Sequence, residues 1–181
     1  MRALSVTLAL LFGAVASAQE KKSIDNPEFA NWSKFKAGAS TTLKMTSEFN
    51  GTKSVTTMTT KLVEVKADTL TVETESEVEV MGKPFKTPAA KRDVTKTVEV
   101  PVAVPVPKGD KPEGTTEEGT ETVKVGAAEV KTKWYKYKTK TPAGEISGQV
   151  WMSDEVPGQV VKMVSKGDKF SSTMELTEFK K

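Results

Sequence analysis

The chain has 181 residues, and its 27 lysine and arginine residues against 24 aspartate and glutamate residues give a net charge of +3. This near balance of charge favours neither a nucleic acid nor an acidic partner. Because cysteine and histidine are both absent, the chain lacks disulfides, thiolate sites, the usual general base and the usual zinc ligand.

The first 18 residues have the layout of a secretory signal peptide. Arg2 precedes an apolar stretch from Ala3 to Val15, and Ala16-Ser17-Ala18 forms a small-x-small site before Gln19. This stretch is shorter than the ~20 residues that span a bilayer; a buried first helix and an uncleaved anchor are the alternatives. We expect cleavage near Ala18–Gln19 and export to the periplasm or the extracellular space. Residues 19–181 are then a single domain without a transmembrane segment.

A short helix is predicted next. Asn26 is a favoured N-cap residue and Pro27 a favoured first helical residue. Phe29 and Trp32 are three positions apart and share one face. We expect a helix from Pro27 to about Lys34 that covers one opening of a sheet.

From Ser40 onward the apolar residues recur with a period of two, which indicates β-strands. Asn50-Gly51 predicts a tight hairpin, because both residues tolerate positive φ. The return strand is expected from Thr52 to Val65, and its change of phase predicts a bulge near Leu62.

The alternation is clearest from Thr69 to Met81, where four glutamates on one face require solvent or neighbouring lysines such as Lys53 and Lys61. Residues 82–90 contain two prolines and are predicted as a loop. Valines alternate with prolines up to residue 107, which favours an edge strand or an extended surface run. A flexible loop is expected near 107–119, since it has no large apolar residue.

Five further strands are predicted at about 120–126, 128–140, 145–152, 159–166 and 169–179. Short connections favour antiparallel neighbours. The expected fold is mainly β: a strongly curved antiparallel meander sheet or half-barrel of about eight or nine strands with a short N-terminal helix, or alternatively a β-sandwich. The predicted core contains Trp32, Leu43, Met45, Leu70, Val72, Val78, Val80, Val130, Trp134, Val150, Met152, Val161, Met163, Met174 and Leu176.

A polar segment, Ser153-Asp154-Glu155-Val156-Pro157-Gly158, separates two apolar runs near the C-terminus. Ser153 and Asp154 can bond nearby backbone amides, and Pro-Gly suits a type II turn. We interpret the segment as the corner between two strands, and a binding or catalytic loop is the alternative.

The residues from Trp151 to Met163 resemble the late hairpin of periplasmic lipoprotein-carrier (LolA/LolB-like) domains, in which a polar turn joins a tryptophan-bearing strand to an apolar-Lys-apolar strand. The signal peptide, short helix and long meander fit the same plan. This resemblance implies a half-barrel whose concave side holds acyl chains. The chain also resembles small secreted bacterial proteins that have no assigned activity.

Two other segments carry many charged residues. Lys131 to Lys140 interleaves lysines with Trp134, Tyr135 and Tyr137. We interpret it as a strand with lysine stems on one side, with contact to an anionic surface or to glycans as alternatives. Glu113 to Glu121 lacks the spaced Asp and Asn ligands of a calcium loop and is interpreted as solvated.

The sequence therefore favours a non-enzymatic exported protein that holds a lipid or other apolar ligand on the concave sheet face. No catalytic residue, metal site or cofactor is expected, since the usual base and the G-x-S-x-G motif are absent. The alternative is a structural or interaction protein of the periplasm or cell surface that contacts an anionic polymer. The candidate ligand-binding residues are Trp32, Met45, Met58, Trp134, Met152 and Met163.

Overall fold

The computed structural model describes residues 21–80, 82–101, 111–141 and 144–181, and its strands form two antiparallel sheets. The predicted signal peptide lies outside these residues. The described elements are β1 (Lys21–Asp25), α1 (Pro27–Trp32), β2 (Ser40–Phe49), β3 (Thr52–Val65), β4 (Thr69–Val80), β5 (Lys83–Thr95), β6 (Thr97–Pro101), β7 (Thr115–Val125), β8 (Ala128–Thr141), β9 (Gly144–Met152), β10 (Val160–Lys166) and β11 (Phe170–Lys180). The prediction of a mainly β, antiparallel fold is confirmed.

The main sheet has nine strands in the order β5-β4-β3-β2-β11-β10-β9-β8-β7. The sheet contains two meanders, β2 to β5 and β7 to β11, in which strands that follow each other in sequence also pair with each other. Strand β11 joins the two meanders by pairing with β2, with Met174 opposite Met45 and Leu176 opposite Leu43. Strands β1 and β6 form a separate two-stranded sheet in which Ile24 lies opposite Val98.

The β7–β11 half of the main sheet is strongly curved. Cα atoms of β7 come within 8 Å of those of β11, although three strands lie between them in the sheet order. A flat sheet with strands ~4.8 Å apart would separate them by about 19 Å. The sheet therefore rolls so that one edge approaches its middle.

The register divides the side chains of the main sheet between two faces, because directly paired residues point the same way. The inner face, as we call it, carries Met45 and Met163 and is the side on which α1 packs; the outer face carries Trp134 and Trp151. One inner-face row crosses seven strands through Val78, Thr56, Met45, Met174, Met163, Val150 and Tyr135. Outer-face neighbours such as Lys44 and Glu175 are exposed, whereas Met45 and Met174 are half-buried.

Two hydrophobic clusters form the interior. The first lies under α1, where Phe29 and Trp32 pack with Leu62, Leu70 and Val72. The second contains Val125, Val130, Val156, Val161 and Leu176. The predicted core residues that are buried are Trp32, Leu70, Val72, Val130, Val150, Val161 and Leu176. The predicted core residues that are only half-buried are Leu43, Met45, Val78, Val80, Trp134, Met152, Met163 and Met174.

Several local predictions are confirmed. Asn26 caps α1, and its Oδ1 accepts a hydrogen bond from the Glu28 amide at 3.0 Å. Asn50 and Gly51 have φ values of 49° and 79° in the β2–β3 turn. The register of β3 shifts between Leu62 and Glu64, as a bulge requires.

The two predicted loops are wrong over part of their length. Residues 83–90 belong to β5, which forms one edge of the main sheet, so that Pro84 and Pro88 are tolerated in it. Residues 115–119, predicted as part of a flexible loop, begin β7 at the opposite edge. Of the Val-Pro run, Thr97–Pro101 forms β6, and the rest falls outside the described residues.

The register places Lys61 of β3 opposite Glu73 on the outer face of β4, as the sequence suggests, but the closest lysine partners of the β4 glutamates in the described residues come from β5. Glu77 Oε2 lies 3.2 Å from Lys86 Nζ, and Glu73 Oε1 lies 3.9 Å from Lys91 Nζ. Within the part of the chain that the structure describes, no helix has the length and apolar character needed to cross a membrane.

Candidate ligand-binding site

The segment between β9 and β10 folds back onto the inner face and holds α1. The Gly158 amide donates a hydrogen bond to Asn31 Oδ1 at 2.6 Å, and Lys34 Nζ lies 2.8 Å from Asp154 Oδ1. Val156 and Pro157 are fully buried. The segment is the corner that the sequence predicts, and it also fastens α1 to the sheet.

Asp154 is the acidic residue most affected by these contacts. The hydrogen bond from Lys34 lowers the pKa of the Asp154 carboxyl, and a second hydrogen bond from Gln159 Nε2 at 3.2 Å acts in the same direction. Asp154 is therefore ionised at neutral pH. It is an anchoring group rather than a general acid.

A cleft of about 540 Å³, which we call the helix cleft, opens between α1 and strands β2 to β5 on the inner face. Its apolar side chains include Trp32, Leu43 and Met58, and the hydroxyls of Thr41 and Thr60 lie among them. Strand alternation places these side chains together, since Leu43 lies directly opposite Met58 and Thr41 directly opposite Thr60.

The charged groups of the helix cleft neutralise each other. The Arg92 guanidinium holds both carboxylate oxygens of Glu28, with Nη1 3.0 Å from Oε2 and a second bond from Nη2 to Oε1. The hydrogen bond to Glu28 raises the pKa of Arg92. This pair joins α1 to β5. Because the two charges neutralise each other, neither is left unpaired in the cleft.

Asn31 supplies the least satisfied polar group of this region. Asn31 is 3% exposed, and its Nδ2 has no hydrogen-bond partner among the residues that the structure describes. The Oδ1 atom is already committed to Gly158, which fixes the orientation of the amide. A buried amide donor without a partner is unfavourable by about 1–3 kcal/mol.

A second cleft of about 500 Å³, which we call the lysine cleft, lies between the β7–β8 hairpin and the corner segment. Lys131, Lys133 and Tyr135 line it from β8, and Met152 lines it from β9. Lys133 lies directly opposite Met152, so both side chains lie on the inner face.

The two clefts adjoin at Gln159, which lines both of them. Gln159 is a non-glycine residue with φ of 62°, a conformation that costs free energy outside glycine. Backbone bonds hold it in place: its carbonyl accepts from the Ser153 amide at 2.8 Å, and its amide donates to Val156 at 3.0 Å. The corner segment therefore borders both clefts, which meet at Gln159.

The six candidate residues from the sequence do not share one cavity. Trp32 and Met58 line the helix cleft, and Met152 lines the lysine cleft. Met45 and Met163 lie in the inner-face row and line neither cleft. Trp134 lies on the outer face opposite Trp151.

Contrary to the sequence interpretation, the lysines of strand β8 do not lie on one side: Lys131 and Lys133 share a face with Tyr135, whereas Lys136 shares the other face with Trp134. Trp134 lies on the outer face across Gly119, and Lys136 Nζ lies 5.7 Å from the centre of the Trp134 ring. Lys136 also pairs with Glu117 at 2.7 Å. The charge of Lys136 is therefore compensated locally, whereas Lys131 and Lys133 lie on the other side of the strand and are exposed.

Sequence reasoning missed Asn31, Gln159, Lys131 and Lys133 as cleft residues. Asn31 carries no local signal, because its partner Gly158 lies 127 positions away in the chain. For Lys131 and Lys133, the alternation of β8 gave their shared face. Only the hairpin pairing and the corner segment show that a cleft lies there.

No protein-family model matches the chain, and no curated protein matches it. Two solved structures are similar in outline. A protein from Bacteroides fragilis, described as exported and as having a YmcC-like fold, is 14% identical over 81% of this chain and 97% of its own, with a TM-score of 0.44. A protein from Parabacteroides distasonis, described as a lipoprotein, is 13% identical over 80% of this chain and 96% of its own, with a TM-score of 0.46.

Proposed function

We propose that the chain is an exported, non-enzymatic binding protein that holds a lipid or other apolar ligand on the inner face, with the helix cleft as the main site. One observation carries this proposal: about 540 Å³ of space is lined by Trp32, Leu43 and Met58. Ligand pockets are typically ~300–1,000 Å³ and mostly apolar. The signal-like residues 1–18 support export.

The polar groups of the helix cleft suit binding better than catalysis. Arg92 and Glu28 neutralise each other, and the remaining groups are threonine hydroxyls and two amides. Hydroxyls and amides are not general bases, and the Glu28 carboxylate is already held by Arg92. They can instead orient a polar end of an otherwise apolar ligand.

Native mass spectrometry of the protein purified from its own host tests the proposal most directly. We expect a co-purified apolar ligand on a chain whose mass corresponds to a start at Gln19. A chain without ligand that also fails to bind the neutral apolar dye Nile red would refute the proposal.

A charge placed in the helix cleft tests the location. Met58→Glu puts a carboxylate among Trp32 and Leu43, so we expect Nile red to bind about tenfold more weakly, because burying an unpaired charge is costly. Thr46→Glu, at an exposed outer-face position of β2, is the matched control and is expected to bind as the unmodified protein does. Equal dye affinity in the two variants would place the ligand elsewhere.

A further inference from the structure

Two exposed lysines form a cationic wall on one side of the β7–β8 hairpin, the side opposite to buried Val130 and Thr132. Lys131 lies opposite Thr122, and Lys133 lies opposite Thr120 on one side and Met152 on the other. All of these residues line the lysine cleft. The wall therefore combines two ammonium groups with hydroxyls and an apolar side chain.

The carboxylates around this cleft are already engaged. Asp154 is bonded to Lys34 at 2.8 Å, and Glu155 pairs with Lys181 at 3.3 Å. Glu121 accepts the indole hydrogen bond of Trp151, which lies on the outer face. Each acid thus has a partner other than the two lysines of the wall.

Lys131 and Lys133, by contrast, have no carboxylate within 4 Å in the described parts of the chain. The hydrogen bond from Lys34 is the main cause of the lowered pKa of Asp154, and the positive charge of Lys133 adds to it. The indole partner of Glu121 is neutral and leaves that carboxylate charged, but the two ammonium groups still give the cleft a net positive charge for a ligand. This charge lies beside Tyr135 and Met152, and the helix cleft adjoins at Gln159.

We propose that Lys131 and Lys133 bind the anionic head group of an amphiphile whose apolar part occupies the helix cleft. This inference rests on the proposed function and specifies the ligand class: a single-headed anionic lipid, such as one with a carboxylate or a phosphate. Ammonium groups that have no carboxylate partner attract such a head group. Tyr135 and Met152 contact the part of the acyl chain that lies next to the head group.

The test compares two probes that share an acyl chain and differ in head charge: decanoate, which is anionic, and monodecanoylglycerol, which is neutral. Displacement of Nile red is measured for each probe at neutral pH and low salt, below the concentration at which it forms micelles. The unmodified protein is expected to bind decanoate about fivefold to tenfold more tightly than the neutral probe, since each partly exposed charge contributes modestly.

The double variant Lys131→Gln/Lys133→Gln is expected to bind both probes equally, with its affinity for the neutral probe unchanged. The control Lys138→Gln/Lys140→Gln removes the same charge from exposed positions of the same strand and is expected to keep the preference for decanoate. Added salt is expected to reduce that preference.

The outcomes separate the two proposals. If both probes bind with equal affinity, or if the Lys131→Gln/Lys133→Gln variant keeps the preference, the head-group assignment is wrong while the apolar site stands. If Nile red binds but neither probe displaces it, the head-group assignment fails while the apolar site stands. If the dye does not bind, both proposals fail. Decyl phosphate in place of decanoate then distinguishes a preference for phosphate from one for carboxylate.

Discussion

At the level of single residues, two glycines in the main sheet leave room for aromatic side chains that cross them from the neighbouring strand. Tyr137 on β8 extends across Gly148 on β9, and its hydroxyl lies 2.7 Å from Ser165 Oγ on β10. Trp134 crosses Gly119 in the same manner on the outer face. Each aromatic ring needs a neighbour without a side chain, as glycine in a strand often provides.

Gly148→Ala is therefore expected to destabilise the protein by about 1–3 kcal/mol, the usual effect of overpacking. A Cβ at this position would lie 2.4 Å from the Val164 carbonyl oxygen and 2.6 Å from the Tyr137 hydroxyl. Urea unfolding followed by fluorescence measures the loss. Ser147→Ala, on the same strand but the other face, is expected to change the stability by less than ~0.5 kcal/mol. Similar midpoints for the two variants would contradict this reading of Gly148.

At the level of elements, contacts with the corner segment and the sheet stabilise α1, which is too short to be stable by itself. Helix α1 has only six residues. Three contacts hold it: its Phe29 and Trp32 pack on the sheet, Glu28 pairs with Arg92, and the Gly158 amide donates a hydrogen bond to Asn31. Together these contacts hold α1 in the position in which it forms one wall of the helix cleft.

Asn31→Ala tests this contact. It leaves the Gly158 amide without its acceptor and removes a buried side chain, while the loss of the unpaired Nδ2 offsets part of this effect. We therefore expect a net loss of about 1–2 kcal/mol in the free energy of unfolding. Lys34→Ala removes the neighbouring ion pair, whose side chains are 47% and 65% exposed, and is expected to cost less than ~1 kcal/mol. If Asn31→Ala were no more harmful than Lys34→Ala in urea unfolding, the amide would not be the main attachment.

Most elements could be predicted from the sequence because their signals are local. The cap at Asn26, the Asn50-Gly51 turn and the phase change near Leu62 each follow from a few adjacent residues. Edge strands were harder to predict: β5 contains prolines, and β7 begins with polar residues only. Such sequences look like loops, yet an edge needs fewer ladder bonds and less apolar surface.

The candidate site was less predictable, because it depends on contacts between distant parts of the chain. The register of the sheet places Met45, Met58 and Met163 on one face, but residues that share a face need not line the same cavity. The helix cleft also requires α1 and Arg92, and the lysine cleft requires the corner segment. The placement of Trp134 on the outer face follows from its register with Trp151, which periodicity alone does not give.

At the level of the whole molecule, the two hydrophobic clusters share their supporting strands. Strand β3 carries Leu62 of the first cluster, and β2 carries Leu43, which packs against the second. These strands pair over ten consecutive positions, and β11 continues the sheet from β2. The corner segment adds a further link, since Val156 belongs to the second cluster while Gly158 holds α1.

We therefore expect the two halves to unfold together, although they enclose separate clusters. Leu70→Ala removes a fully buried side chain of the first cluster, which typically costs about 2–5 kcal/mol. If unfolding is cooperative, hydrogen-exchange protection falls by the same free energy in β4 and in the distant strand β9. Val161→Ala, in the second cluster, is the reciprocal variant and should lower protection equally in both strands. Loss of protection confined to β3, β4 and β5 in Leu70→Ala would instead show that the meanders are separate folding units, because the shared β2–β11 pairing would then transmit none of the destabilisation.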